Sequence, residues 1–104
     1  MDKRRDRPNI LLIMTDQQAE RMRKSRGYPL DTMPFLDALA GQGVQFTNAY
    51  TANPTCMPAR VSLFTGRYSS CHQVRCNTSD LAAFYSKDLL DVLKEAGYRT
   101  ALCG

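Results

Sequence analysis

The sequence predicts an α/β protein, in which helices cover a largely parallel sheet. Segments that favour strands alternate along the chain with segments of helical periodicity, a pattern typical of layered architectures with right-handed crossovers. One of them, residues 9–15, is a continuous apolar run with two isoleucines. Such a run is expected of a strand that is covered on both faces of a sheet. With 104 residues, the chain is at most one domain.

Two further strands and a first helix are predicted in the same way. Residues 44–50 alternate in side-chain character and indicate a second strand, and residues 99–103 indicate a third, short one. Between the first two strands, Thr32 can cap a helix that begins near Pro34 and that glycines end. The glycines are Gly41 and Gly43, and the inward-facing stripe of this helix is expected to be Phe35, Leu36, Leu39 and Ala40.

Two more helices complete the prediction. The second runs from about Pro58 to Thr65, and Pro58 suits a first helical position because its missing N–H would have no partner there. Gly66 can end this helix. Ser86 can cap the third helix, and Gly97 can end it. The side chains expected to face the core from this helix are Leu89, Leu90, Leu93 and Ala96.

The composition is that of an ordinary globular protein. The chain is 43% hydrophobic and 23% charged, with a formal net charge of +4. Much of the positive charge lies in a basic N-terminal arm, residues 1–7, and in residues 21–26. We interpret both as solvated segments, with attraction of anionic substrates as the functional alternative. Aromatic residues are not interleaved with these charges, which argues against nucleic-acid binding.

The longest apolar stretch, residues 10–14, is too short to span a membrane, which takes about 20 residues. It is also too short for a secretion signal, and no small-residue cleavage site follows it. We therefore expect a cytoplasmic protein with no membrane contact, unless an export signal belongs to a longer precursor.

The segment that begins at Cys56 carries the most chemical information. A cysteine at the start of a helix feels the positive end of the peptide dipoles, which favours the thiolate and attracts anions. Arg60, one turn further on, offers planar N–H donors suited to sulfate or phosphate. Together they predict a site for an oxyanion. A buried, unreactive cysteine would leave the proline and the arginine around it unexplained.

Two other groups of residues are candidates for metal binding. Asp16 follows the first predicted strand, where its carboxylate can be an oxygen ligand for a hard divalent cation or only a cap or turn residue. Cys71, His72 and Cys76 suggest zinc, but a structural zinc site needs more ligands than this pattern offers. We therefore interpret His72 as a residue at the surface, or one that supports a neighbouring ligand, and not as a ligand itself.

Three short motifs, in this order along the chain, resemble those of the sulfatase family. Residues 8–17 resemble the family's opening strand, which delivers a metal-binding aspartate. The sequence Cys-Met-Pro-Ala-Arg at residues 56–60, with Thr-Gly-Arg at residues 65–67, resembles the motif in which a cysteine is converted to formylglycine. Residues 97–104 resemble the strand that leads to an active-site Gly-Lys pair. The resemblance extends over residues 8–104, nearly the whole chain.

The resemblance implies roles for four residues. A maturation enzyme, either formylglycine-generating or of the anaerobic type, would oxidise Cys56 to 3-oxoalanine (formylglycine), whose hydrate attacks the sulfur of a small-molecule sulfate ester. Arg60 would stabilise the developing charge, and Asp16 would bind a divalent metal together with the modified Cys56. Asn77 corresponds to a substrate-contacting asparagine in the choline-sulfatase and phosphonate-monoesterase branch. By composition alone, residues 77–80 are a turn or helix-cap cluster.

The resemblance also implies a fold, a metal and the extent of the domain. The fold would be the N-terminal part of an alkaline-phosphatase-like mixed or parallel sheet sandwiched by helices. Residues 8–104 would be an incomplete segment of the catalytic domain, preceded by the basic arm. Ca²⁺ is the family's usual metal, while Gln17, where many sulfatases have a second aspartate, leaves Mn²⁺ open. The downstream acidic metal ligands, the lysines and the general-acid histidine that the family implies are absent from these 104 residues. We therefore expect this chain alone to be inactive.

The sequence therefore predicts a parent enzyme that hydrolyses sulfuric esters. Two alternatives stay open: a phosphonate or phosphate ester hydrolase on the same scaffold, and an inactive truncated fragment that at most binds anions or a partner. A phosphatase with a thiolate nucleophile fits less well, because its C-x5-R loop has a longer spacing than the one between Cys56 and Arg60.

Overall fold

The structure, a computed structural model, describes residues 7–78 and 84–104. The basic arm predicted for residues 1–7 lies outside these ranges except for Arg7, and so does part of the 77–80 cluster. The chain divides into two compact units: the first ends at Gln45 and the second is Phe46–Gly104.

Four α-helices and two 3₁₀ turns form the regular structure of the described ranges. The helices are α1 (Pro34–Gln42), α2 (Cys56–Thr65), α3 (Ser69–His72) and α4 (Leu89–Glu95), and the 3₁₀ turns are Glu20–Met22 and Lys24–Arg26. The sequence predicts α1, α2 and α4 but neither α3 nor the 3₁₀ turns. Within the described part of the chain, no helix has the length and apolar character needed to cross a membrane.

The predicted three-stranded sheet is not found in residues 7–78 and 84–104. The segments concerned, residues 9–15, 44–50 and 99–103, are not assigned to strands. A strand requires backbone pairing with a neighbouring strand, and the described residues form no such ladder. As a result, the apolar side chains of the first segment are exposed, Leu11 by 83% and Ile13 by 75%. The strand pattern of the sequence is therefore not realised as a sheet in this structure.

In the first unit, the carboxylate of Asp37 on α1 holds the turns that precede the helix. Arg23 Nε donates to Asp37 Oδ1 at 2.7 Å, and Arg23 Nη2 lies 2.6 Å from the same oxygen. Arg23 is buried although it is charged. The Ser25 hydroxyl donates to Oδ1 at 2.6 Å and the Ser25 N–H donates to Oδ2 at 3.1 Å. The carboxylate thus joins three residues of one unit.

These contacts also change the acidity of Asp37. The Ser25 hydroxyl does most to hold the pKa of the Asp37 carboxyl below its ordinary value. Partial burial acts in the opposite direction, while the Ser25 N–H and Arg23 lower the pKa further. The net direction follows because hydrogen bonds and a positive charge favour the ionised form.

Helix α1 forms as predicted, but its predicted cap and contacts do not. Met33 is the N-cap, whereas the Thr32 hydroxyl donates to the Met22 carbonyl at 2.5 Å. The stripe that was expected to face inward is largely exposed, with Phe35 90% and Leu39 63% accessible. The helix is therefore held to its unit by the hydrogen bonds of Asp37 and not by a buried apolar face.

The second unit is built around α2. This helix ends, as predicted, at Gly66, which adopts the left-handed conformation (φ 65°, ψ 22°) and donates its N–H to the Ser62 carbonyl at 2.9 Å. Helix α3 packs against α2. The side chains of Pro58, His72 and Val74 are fully buried, and Ser62 is 8% exposed. A small core therefore lies next to the helix that carries Cys56.

Helix α4 contacts α2 and begins with a capping box. The Asp88 carboxylate accepts the Asp91 N–H at 3.0 Å, and the Asp91 carboxylate accepts the Asp88 N–H at 3.2 Å. The cap is therefore Asp88 and not Ser86, because only Asp88 is followed by an acid three positions later in the first turn. Gly97 lies just beyond the helix with φ of 85°. Of the residues expected to face the core, Leu90 and Leu93 are half-buried and Leu89 and Ala96 are exposed.

Candidate active site

Cys56 is the first residue of α2, so its thiol lies at the positive end of the helix dipole. The side chain is exposed and forms no disulfide. The N-cap, Thr55, makes no side-chain hydrogen bond to the helix. Pro58 is the third helical residue and not the first, but it still removes one of the N–H groups that the first turn leaves without an intrahelical partner.

Asn77 provides the cap that the preceding residues do not. Its Oδ1 accepts the Met57 N–H at 3.0 Å, and its Nδ2 donates to Cys56 Sγ at 2.8 Å. Since a backbone N–H only donates, the amide oxygen faces Met57 and the NH₂ group faces the sulfur. One side chain therefore both caps α2 and contacts the predicted nucleophile. The sequence did not predict this cap, because α2 begins about 20 residues before Asn77, and substrate contact by Asn77 stays a prediction.

Arg60 lies one turn after Cys56 on α2 and is half-buried. It is the fifth of the ten residues of this helix. A guanidinium offers several N–H donors in one plane, which suits a sulfate or phosphate group. The second unit thus contains Cys56, Arg60 and Asn77, three of the four predicted site residues.

The second unit also contains a buried hydrogen bond between a histidine ring and a serine hydroxyl. His72 Nε2 lies 2.9 Å from Ser62 Oγ, and His72 Nδ1 accepts the Val74 N–H at 3.1 Å. His72 has no exposed surface, so the expectation that it lies at the surface is wrong. Because both of its ring nitrogens are engaged with protein groups, it is not available as a zinc ligand beside Cys71 and Cys76.

The fourth predicted residue, Asp16, belongs to the first unit. It is exposed at a bend that follows the apolar segment, as a ligand or a turn residue would be. The next residue, Gln17, has φ of 54°, an uncommon value for a residue with a side chain. Within the described residues, no three His, Cys, Asp or Glu side chains come close enough to hold a metal ion. Asp16 therefore offers one oxygen ligand of the several that Ca²⁺ or Mn²⁺ requires.

The second unit also has an open cavity of about 360 Å³. It is lined by Tyr50, Tyr68, Arg67 and residues of α2 from Ala59 onward. Cys56 and Asn77 do not line it. The cavity therefore adjoins α2 but does not include the predicted nucleophile.

Sequence reasoning missed two contacts that organise the surroundings of Cys56, the capping of α2 by Asn77 and the hydrogen bond of His72 to Ser62. Asn77 as a cap had a weak signal, since amides are good helix caps but are normally sought directly before the helix. His72 had none: a lone histidine in a polar segment looks like a surface residue, and only the fold brings it against Ser62.

Comparisons with known proteins agree with the motifs. The family model described as Sulfatase matches residues 8–104. An uncharacterized sulfatase of Escherichia coli K12 is 41% identical over 100 residues, which cover 94% of this chain and 20% of the relative. An ulvan-active sulfatase of Formosa agariphila is 39% identical over 100 residues, covering 94% and 19%. An N-acetylgalactosamine-6-O-sulfatase of Bacteroides thetaiotaomicron is 37% identical over 102 residues, covering 94% and 20%.

The chain spans about a fifth of the length of these curated relatives. No solved structure matches it. The family match nevertheless includes nearly every residue of the chain, among them Cys56, Arg60, Asp16 and Asn77. On this ground the chain belongs to the sulfatase family.

Proposed function

We propose that the complete, matured protein hydrolyses small sulfuric esters, with Cys56 as the residue that is modified to formylglycine. The observation that carries this proposal is the exposed thiol at the first position of α2, contacted by Asn77. Formylglycine, once formed, supplies a hydrated carbonyl as the nucleophile. The other residues hold and orient the groups that react.

Each of the other residues has a proposed task. Arg60 binds the oxygens of the sulfate group, because a fixed guanidinium near a helix N-terminus favours an anion. Asn77 holds the side chain at position 56 and offers its NH₂ group to the substrate. Asp16 binds the divalent metal together with the side chain at position 56, and Ca²⁺ is proposed as the ion.

The proposed fold is the alkaline-phosphatase-like sheet sandwiched by helices, with residues 8–104 as one segment of the catalytic domain. The support for it is that residues 9–15 have the sequence pattern of a buried strand and that their apolar side chains are exposed. Because the chain has about a fifth of its relatives' length, we propose that these residues alone are inactive. A cytoplasmic location and maturation by a formylglycine-generating or anaerobic enzyme are also part of the proposal.

The direct test is the mass of the tryptic peptide that ends at Arg60, after expression with and without a maturation enzyme. We expect this peptide to lose the mass that separates a thiol from an aldehyde, and only when the enzyme is present. The peptides that contain Cys71 and Cys76 are internal controls and should keep their thiols. A Cys56 thiol that stays unmodified under these conditions would contradict the proposal.

Activity provides the second test. We expect Cys56→Ala to abolish turnover of an aryl sulfate by the complete, matured protein, while the matched variant Cys71→Ala retains it, since Cys71 is exposed and outside the site. Full turnover by Cys56→Ala would refute the assignment. The alternative proposal is a phosphonate or phosphate ester hydrolase on the same scaffold. It requires that an aryl phosphonate ester be turned over faster than the corresponding aryl sulfate.

A further inference from the structure

His72 is fully buried, yet the proposed chemistry does not use it. A histidine side chain with no exposed surface is costly unless its nitrogens are satisfied. Here both are: Nδ1 accepts from the Val74 N–H at 3.1 Å, and Nε2 lies 2.9 Å from the Ser62 hydroxyl. The ring is therefore in contact with two separate parts of the second unit.

The two contacts determine the tautomer. The Val74 N–H can only donate, so Nδ1 is the acceptor and carries no hydrogen. In a neutral imidazole the hydrogen is then on Nε2, which donates to Ser62 Oγ. The ring thus has one donor directed at α2 and one acceptor directed at the chain that follows α3. In the other tautomer the hydrogen would be on Nδ1, and two donors, Nδ1–H and the Val74 N–H, would face each other.

The segment that His72 holds leads directly to Asn77. Val74 is 1% exposed and its N–H is the group bound by the ring. Three residues later, the Asn77 amide contacts Cys56 Sγ and the Met57 N–H. The His72 carbonyl also accepts the Phe84 N–H at 3.0 Å. His72 is therefore hydrogen-bonded directly before residues 74–77, the short segment that ends at Asn77 and reaches the sulfur.

We propose that His72 is a positioning residue for Cys56: its neutral ring bridges Ser62 on α2 to the segment at Val74, and so sets where the Asn77 amide lies relative to the sulfur. The bridge closes a ring of contacts that runs from Cys56 along α2 to Ser62, through His72 to Val74, and through Asn77 back to Cys56. Its relevance to catalysis rests on the proposed role of Cys56, but the bridge itself does not.

The Met57 N–H reports on this bridge, because its partner is the Asn77 amide oxygen. We would measure amide hydrogen exchange in the full chain with Cys56 as a free thiol. Asn77→Ala removes the partner and defines the maximum effect on Met57. Ser62→Ala removes one end of the bridge, and His72→Asn keeps an acceptor at the δ position for Val74 but has no atom that reaches Ser62.

We expect Ser62→Ala and His72→Asn each to speed exchange at Met57 by about tenfold, as expected for loss of one hydrogen-bonded constraint. The double variant should exchange no faster than either single one, because both changes break the same link. The control, Ser70→Ala, is a matched exposed change in the same unit and should leave exchange at Met57 unchanged.

Unchanged exchange at Met57 in Ser62→Ala would overturn the proposal, and so would additive effects in the double variant. Ser62→Ala decides the question even if His72→Asn does not fold, since it removes only a hydroxyl. In the complete, matured protein, Ser62→Ala should also lower kcat for an aryl sulfate with little change in KM. If no sulfate ester is hydrolysed at all, the proposed function fails, while the exchange result still tests the bridge.

Discussion

The two units of the chain are stabilised in different ways. In residues 7–45 the one buried residue is Arg23, and its partner is the Asp37 carboxylate on α1, whose apolar side chains are exposed. In the second unit, Pro58, Ser62, His72 and Val74 are buried together beside α2. The first unit therefore depends on hydrogen bonds and charge, and the second has a small packed core.

The difference bears on where a reactive side chain can be held. Rigid positioning requires neighbours whose own conformations are fixed by packing. Cys56, Arg60 and Asn77 belong to the unit with the packed core, whereas Asp16 follows an exposed segment of the other unit. In this structure the predicted nucleophile therefore has packed neighbours in its own unit, and the predicted metal ligand does not.

The largest difference between the units should appear on truncating an apolar side chain in each. Val74→Ala removes a side chain that is 1% exposed and should lower the free energy of unfolding by about 2 kcal/mol. Phe35→Ala removes one that is 90% exposed and should change it by less than about 0.5 kcal/mol. Amide hydrogen exchange in urea reports each unit separately. Equal effects of the two changes would show that the comparison is wrong.

The sequence predicts local features of the fold, such as helices, better than contacts between distant segments. Helices α1, α2 and α4 follow from local patterns, with a proline in the first turn of α1 and α2 and Gly66 after α2. Local patterns also predict strands, but pairing is a property of two segments, and the pattern in residues 9–15 does not ensure a partner. Helix α3 was missed because its Ser-Ser-Cys-His sequence has neither length nor apolar periodicity.

The candidate site shows the same division. Cys56, Arg60 and Asp16 stand out in the sequence because their residue types and short spacings imply chemistry. The contact from Asn77 to Cys56 joins residues 21 positions apart, and the one from His72 to Ser62 joins residues 10 apart. Contacts between residues so far apart in sequence depend on how the chain after α2 folds back. The propensities of single residues do not specify this.

A pair of glycines tests the backbone of each unit with a smaller expected effect. Gly27 in the first unit and Gly66 in the second have φ of 91° and 65°, and an added Cβ would meet no atom within 4 Å at either position. Alanine should therefore cost about 1–2 kcal/mol at each site through backbone strain alone. Thermal unfolding of Gly27→Ala and Gly66→Ala measures this. A steric explanation would be needed if only one of them were destabilising.

The capping box of α4 should contribute somewhat less. Asp88→Ala leaves the Asp91 N–H without its side-chain acceptor and should destabilise the second unit by about 1 kcal/mol. Asp88→Ser, which keeps a capping oxygen, is the matched control and should recover most of the loss. Urea unfolding followed by circular dichroism measures both. Equal losses in the two variants would mean that the carboxylate acts by charge and not as a cap.

The smallest effect is expected from acidification, and it should be specific to the first unit. The Ser25 hydroxyl, the Ser25 N–H and Arg23 hold the pKa of Asp37 below the ordinary aspartate value of about 3.9. A folded pKa that is below the unfolded one stabilises the folded state at pH values above the unfolded pKa. That contribution is lost as the pH falls through the folded value. The first unit should therefore weaken below about pH 4.

Asp37→Asn separates this contribution from the other carboxylates. The variant should be less stable than the parent protein at pH 7, and the difference should shrink as the pH falls below about 4. The control is Asp31→Asn, since Asp31 is exposed and its partner Lys24 lies 4.0 Å away, a pair that solvent screens. Amide exchange of α1 between pH 7 and pH 3, corrected for intrinsic rates, gives the comparison. Because the second unit is held by a core and not by this carboxylate, a similar loss of protection around Val74 would contradict the distinction between the two units.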